Sequence, residues 1–345
     1  MSRAFATATS LTSGRVLIAG GVDSNYRYLP NVELYNAATR TFTALSPMTT
    51  GRAAHTATLL PGGAVLIVGG TTCVSGVCHK LASAEVFDPI SQGFLPVGNL
   101  VTARAGHTAT LLGDGTVLIA GGVDDEVIPS AEIFDPATAR FTETATLISP
   151  RFMHSATLLL DGQVLLTGGR SCVDECEANP ASKSAELYDP GRRQFFPAGT
   201  MRESRILHNS TLLPDGRVLI SGGRSCIGDC EGDKTLQNTE IYDPGNGSFV
   251  LAANMSTARA SHRAIALPDG RIFIYGGAWC SRRSGCSYLN SGELFQPDTE
   301  TFIPATSGTV AGVNSVAALL PNQEVLIAGG RMRGSILRSA DVFSF

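Results

Sequence analysis

Two adjacent glycines close a short apolar run seven times along this chain: Gly20-Gly21, Gly69-Gly70, Gly121-Gly122, Gly168-Gly169, Gly222-Gly223, Gly276-Gly277 and Gly329-Gly330. Successive spacings are 49, 52, 47, 54, 54 and 53 residues. So regular a period restricts the chain to an array of one supersecondary unit. Such a unit cannot bury its faces alone and must stack on its neighbours. Helical periodicity is absent. The runs before the glycines, such as Val117-Leu-Ile-Ala120, are continuously apolar, as strands covered on both faces should be.

The third copy shows the unit best. Arg104-Ala-Gly-His107 leads into Thr108-Ala-Thr-Leu-Leu112, and Gly113-Asp114-Gly115 makes a turn. Val117 to Ala120 runs into the Gly pair, Ser130-Ala-Glu-Ile-Phe-Asp-Pro136 follows a loop, and Phe141 closes the unit. That is four short β-rich runs separated by turn signals. Asp-Gly turns at 161–162, 215–216 and 269–270 join the same two runs in other copies, as tight hairpins do. The pattern R-x-x-H, D-G-x-V-L-x-x-G-G, A-E-x-Y-D-P, F resembles bacterial kelch repeats, the type also found in the propeller domain of galactose oxidase. The resemblance covers nearly the whole chain. It implies an all-β, seven-bladed β-propeller with four-stranded blades, occupying residues 1–345 as one domain. The first copy starts at its inner strand (Ala4 to Leu11), and the last stops in its third (Ala340 to Phe345). The seventh blade is therefore expected to lack its outer strand, from a cut out of a longer chain or from a three-stranded blade with an open edge.

A formal charge of −4 and a pI near 5.9 give no general drive toward nucleic acid or anionic membrane. No apolar run has the length of a membrane-spanning helix, and Met1-Ser-Arg-Ala-Phe5 has no apolar leader.

From the Gly pair to the following Glu or Asp, the loops hold 11, 14, 9, 16, 16, 15 and 10 residues. Long irregular loops on a rigid scaffold are where binding usually resides. All eight cysteines lie in the four longest, two in each: Cys73 with Cys78, Cys172 with Cys176, Cys226 with Cys230, and Cys280 with Cys286. Four local disulfides are the simplest reading, and they imply an oxidising, extracellular or periplasmic compartment. The rival is a Cys₄ zinc site made by the neighbouring, near-identical Arg170-Ser-Cys and Arg224-Ser-Cys loops.

Arg3, Arg52, Arg104, Arg151, Arg205 and Arg259 recur in register, as do His55, His107, His154, His208 and His262; Ala6 and Ser315 take the His place in the end copies. A ring of imidazoles could hold a metal. The reading preferred here is interblade hydrogen bonds and ion pairs, with Glu33, Glu85, Glu132, Glu186, Glu240, Glu293 and Asp341 as partners. The arginines could still lend positive potential to the channel mouth.

Galactose oxidase-like copper chemistry needs two Tyr, two His and a Tyr-Cys crosslink, and no placement for that set is visible; Tyr35, Tyr188 and Tyr242 fall in third strands. Nor is there a hydrolase, zincin or nucleotide-binding motif. No catalytic residue and no cofactor is assigned, calcium or zinc being the alternatives considered. The informative residues depart from the repeat. Trp279, Arg282, Arg283 and Tyr288 share one loop, Arg331, Arg333 and Arg338 lie on the next, and ring closure brings in Tyr26, Arg27 and Tyr28. Trp, Tyr and Arg are typical interface anchors. Across the face, Asp124, Asp125, Glu126, Asp174, Glu175, Glu177, Asp229, Glu231 and Asp233 make an acidic sector. The expected function is a binding module that holds a protein, peptide or glycan on the face of the long loops. The alternatives are a secreted enzyme or lectin-like domain with a site at the channel mouth, metal-assisted through the His ring, and an architectural domain of a larger surface protein.

Overall fold

In blade 3 the strands run Thr108–Leu111, Val117–Ala120, Ser130–Asp135 and Arg140–Thr146, paired antiparallel in sequence order. The computed structural model describes residues 1–172, 181–225, 234–281 and 285–345. It repeats this sheet six times with four strands and a seventh time with three. The first strands adjoin one another in a closed ring around a central channel. Second strands such as Val65–Val68 and Val218–Ser221 are buried at every position, which explains their unbroken apolar sequence. Among the described residues no helix is long and apolar enough to cross a membrane.

Six of the blades carry an aromatic pair on their third and fourth strands, turned toward the blade before. Phe134 and Phe141 sit 4.8 Å apart between centroids, against Leu60, Leu66 and Val68 of blade 2. In blade 1 Tyr35 packs on Val316, Ala318 and Leu326 of blade 7, with the Phe42 ring 4.8 Å from its own. Blade 7 has only Val316–Leu319, Val325–Ala328 and Ala340–Phe343. No outer strand covers Phe42, which is 41 % exposed where Phe141, Phe195 and Phe249 are 8–9 % exposed. Within residues 1–345 the seventh blade has three strands, as expected.

The Gly pairs hold the ring together. The second glycine's N–H donates to the carbonyl of the next blade at Gly21–Arg52, Gly70–Arg104, Gly122–Arg151, Gly169–Arg205, Gly223–Arg259 and Gly277–Gly312, over 2.8–3.0 Å. Gly330 to Arg3, at 2.8 Å, closes the circle. At Gly69 a Cβ would stand 2.6 Å from the Arg104 carbonyl, and φ is +61°, so only glycine fits.

Three loops after the Gly pairs are ordered hairpins, contrary to the expectation of irregular loops. They pair Thr71–Val74 with Val77–Lys80, Ala278–Ser281 with Gly285–Tyr288, and Arg331–Met332 with Ser335–Ile336. Ser75-Gly76 and Arg333-Gly334, with φ of 51° and 82° and of 48° and 88°, form the two-residue turns that match strand twist.

Candidate recognition face

The residue that follows each Gly pair bridges to the residue that follows the repeat's Arg position. Ala4 pairs with Val22, Ala53 with Thr71, Ala105 with Val123, Phe152 with Arg170, Ile206 with Arg224, Ala260 with Ala278, and Val313 with Arg331. The long loops and the blade-to-blade linkers therefore share one face. Two cross-strand disulfides brace its hairpins, Cys73–Cys78 and Cys280–Cys286. The expected bridges Cys172–Cys176 and Cys226–Cys230 lie partly or wholly outside the described residues.

On the blade 6 hairpin the register opposes Trp279 to Ser287 and Ala278 to Tyr288. Successive strand residues point to opposite sides, so Trp279 and Tyr288 do not form one surface: Trp279 is 39 % exposed, while Tyr288 shares the disulfide's side and is half-buried. Arg282 and Arg283 lie outside the described residues. Tyr26 is brought to blade 7: its hydroxyl donates to the Gly334 carbonyl at 3.3 Å, and the Arg331 guanidinium lies 5.8 Å from its ring centre. Arg333 is exposed at the hairpin tip, and Arg338 is exposed. Tyr28 instead packs on an apolar cluster of Ala4, Val22, Ala53 and Ile336. Arg27 is paired with Asp23 at 2.7 Å. Of the acidic sector, Asp125 and Glu126 are exposed and Asp124 is half-buried; the other six acids lie outside the described residues.

The recurring arginines and histidines are absorbed by the framework. Arg52–Glu85, Arg104–Glu132, Arg205–Glu240 and Arg259–Glu293 pair at 2.6–3.1 Å with both side chains buried. Arg3–Glu33 and Arg151–Glu186 pair alike. These ion pairs lie within one blade, not between blades as expected. Every one of these glutamates except Glu33 also accepts linker N–H groups, as Glu132 does from Val101 and Thr102. Compensated in this way, the arginines add no free positive charge to the channel mouth. The interblade role falls to the histidines. His55, His107 and His154 bond through Nε2 to Thr7, Thr56 and Thr108 of the preceding blade. His208 and His262 bond to Thr167 and Ser221. Burial pushes the His55, His107 and His208 imidazoles down to about 3, and those of His154 and His262 well below the usual histidine range. Each neutral ring serves a separate junction, and among the described residues no three His, Cys, Asp or Glu side chains converge on a metal position.

A second ring was missed by the sequence reading. Phe5, Ala54, Gly106, Met153, Leu207, Ser261 and Asn314 all take φ between 53° and 62°, at the loop-face end of the channel. Their backbones link blade to blade: Phe5 N–H donates to Asn314, Ala54 to Phe5, Gly106 to Ala54, Met153 to Gly106, and Ser261 to Leu207. The opposite face carries an apolar groove of about 610 Å³ between blades 2 and 3, lined by Leu60, Pro61, Val86, Leu95 and Pro136.

No protein-family model matches the chain. It is 26 % identical over 174 residues to galactose oxidase of Gibberella zeae, an alignment covering 46 % of this chain and 25 % of that protein. It is 23 % identical over 253 residues to human Kelch-like protein 23, covering 72 % of this chain and 42 % of that one. The chain thus spans less than half the length of these curated relatives. Among solved structures, a copper-complexed fungal alcohol oxidase of the AA5 family superposes with a TM-score of 0.73 at 21 % identity, covering 95 % of this chain and 70 % of that chain. YjhT superposes with a TM-score of 0.68 at 14 % identity, covering 89 % and 98 %. Tyr35, Tyr188, Tyr242 and Tyr275 are core residues, and the ring imidazoles are each committed to an interblade bond.

Proposed function

We propose that this propeller of the kelch type is a recognition module, exported to an oxidising compartment, that holds a protein partner by an acidic loop on the face of its long loops. The observation that carries this reading is a braced aromatic anchor on the face that also carries a cationic pair. Trp279 stands exposed on the disulfide-pinned hairpin of blade 6, and Tyr26 with Arg331 and Arg333 spans the closure between blades 7 and 1. Aromatic side chains held in place lose little entropy on binding, and guanidinium groups match carboxylates. The two observed disulfides are consistent with export. An array of Asp- and Glu-rich peptides tests the idea. The wild-type chain should retain a subset, and a Trp279→Ala, Arg333→Ala double variant should lose it by about tenfold or more; equal retention by both proteins would sink the proposal.

A second reading, an oxidase of the galactose oxidase kind, is favoured by the fold likeness over 95 % of the chain. It predicts hydrogen peroxide from primary alcohols after copper loading. No peroxide above the copper-free control would dispose of it.

A further inference from the structure

The first residues of the seven inner strands are Thr7, Thr56, Thr108, Ser155, Asn209, Arg263 and Val316. Five junctions are pinned by an imidazole bonded to a hydroxyl of the preceding blade. The other two junctions change both members together. Between blades 7 and 1, Ala6 meets Val316 in one apolar cluster. Between blades 6 and 7, Ser315 stands for the imidazole and Arg263 for the hydroxyl residue, and the Arg263 Nε donates to the Ser315 carbonyl at 2.6 Å.

One N–H is all the junction needs, yet Arg263 brings a full guanidinium. Among the described residues its terminal nitrogens have no partner and no carboxylate pairs with it. None of the seven inner strands contains Asp or Glu. The side chain is half-buried because the channel opens onto it, and the surrounding protein desolvates it enough to lower its pKa. A cation placed so is short of an anion, in a setting where a charge-assisted bond is strong. Above it lies the mouth ring, whose two polar members, Ser261 and Asn314, belong to blades 6 and 7. The rest of that ring is apolar, with Phe5 36 % and Met153 39 % exposed.

We propose that the loop-face end of the channel binds a small organic carboxylate, its anionic group on the Arg263 guanidinium between Ser261 and Asn314, its apolar body against Phe5, Met153 and Leu207. This site is separate from the Trp279 patch and does not rest on the reading above.

Calorimetric titration of the whole chain with benzoate in low-chloride buffer, with neutral benzamide as control, tests it. Benzoate should bind saturably and benzamide should not. In Arg263→Thr, which restores the residue type of Thr7, Thr56 and Thr108, benzoate affinity should drop at least about tenfold, roughly 1.4 kcal/mol. Ser261→Asp, which sets a carboxylate beside the guanidinium without touching the junction, should weaken it comparably. Trp279→Ala should leave it unchanged. No saturable benzoate binding by the wild type, or equal affinity in either channel variant, overturns the proposal.

Discussion

Five histidines are buried as neutral rings, each used once, and this ties the stability of the molecule to pH. Their folded-state pKa values lie below the unfolded value near 6.5, at about 3 for His55, His107 and His208. Between those limits the unfolded chain binds protons that the folded chain refuses, so stability is complete above pH 6.5 and falls as pH drops toward 3. Each ring contributes a slope on the order of 1.4 kcal/mol per pH unit within that window. Melting temperature should therefore fall steeply from pH 7 to pH 5, and a His154→Gln variant should show a shallower decline; parallel declines would contradict the assignment. The register of these residues was legible because they recur with the period of the repeat. Their geometry was not: sequence spacing cannot tell a contact within a blade from one across a junction, and the Arg–Glu pairs fell on the other side of that choice.

At the scale of elements, the Gly pairs, Asp-Gly turns and apolar runs announced four strands per unit because each has a local stereochemical cause. The hairpins inside the long loops carried a local signal too, in Ser75-Gly76 and Arg333-Gly334, which a count of loop length overlooks. The mouth ring carried none. Phe5, Ala54, Met153 and Leu207 are not residues that favour φ > 0; the bonds between neighbouring blades impose it. The blade 6 hairpin is two short strands with little core beneath, and isolated hairpins are marginal in water. Its Cys280–Cys286 bridge should supply on the order of 2 kcal/mol. Replacing both cysteines by serine should leave the melting temperature of the propeller nearly unchanged while the amides of Ala278–Ser281 and Gly285–Tyr288 lose protection from hydrogen exchange; unchanged protection would show that the bridge is not what holds Trp279 in place.

In the whole molecule, seven blades meet at seven junctions, and two of them lack the imidazole pin. Between blades 7 and 1 the imidazole pin is replaced by Ala6 against Val316, and the outer aromatic Phe42 lies uncovered. What remains is the Gly330–Arg3 backbone bond, the Ser10 hydroxyl bonded to the Leu319 carbonyl at 2.7 Å, the Arg40–Glu324 pair at 3.1 Å and the neighbouring loop contacts. Hydrogen exchange should be fastest there, with the Gly330 amide exchanging ahead of Gly70 and Gly122, which make the same bond at pinned junctions; equal protection would mean that burial alone sets junction strength. A disc with seven like sectors offers a partner seven rotational settings that its backbone cannot tell apart. The joint between blades 7 and 1 removes that degeneracy, so the disc has a marked angle from which every other position around it can be reckoned.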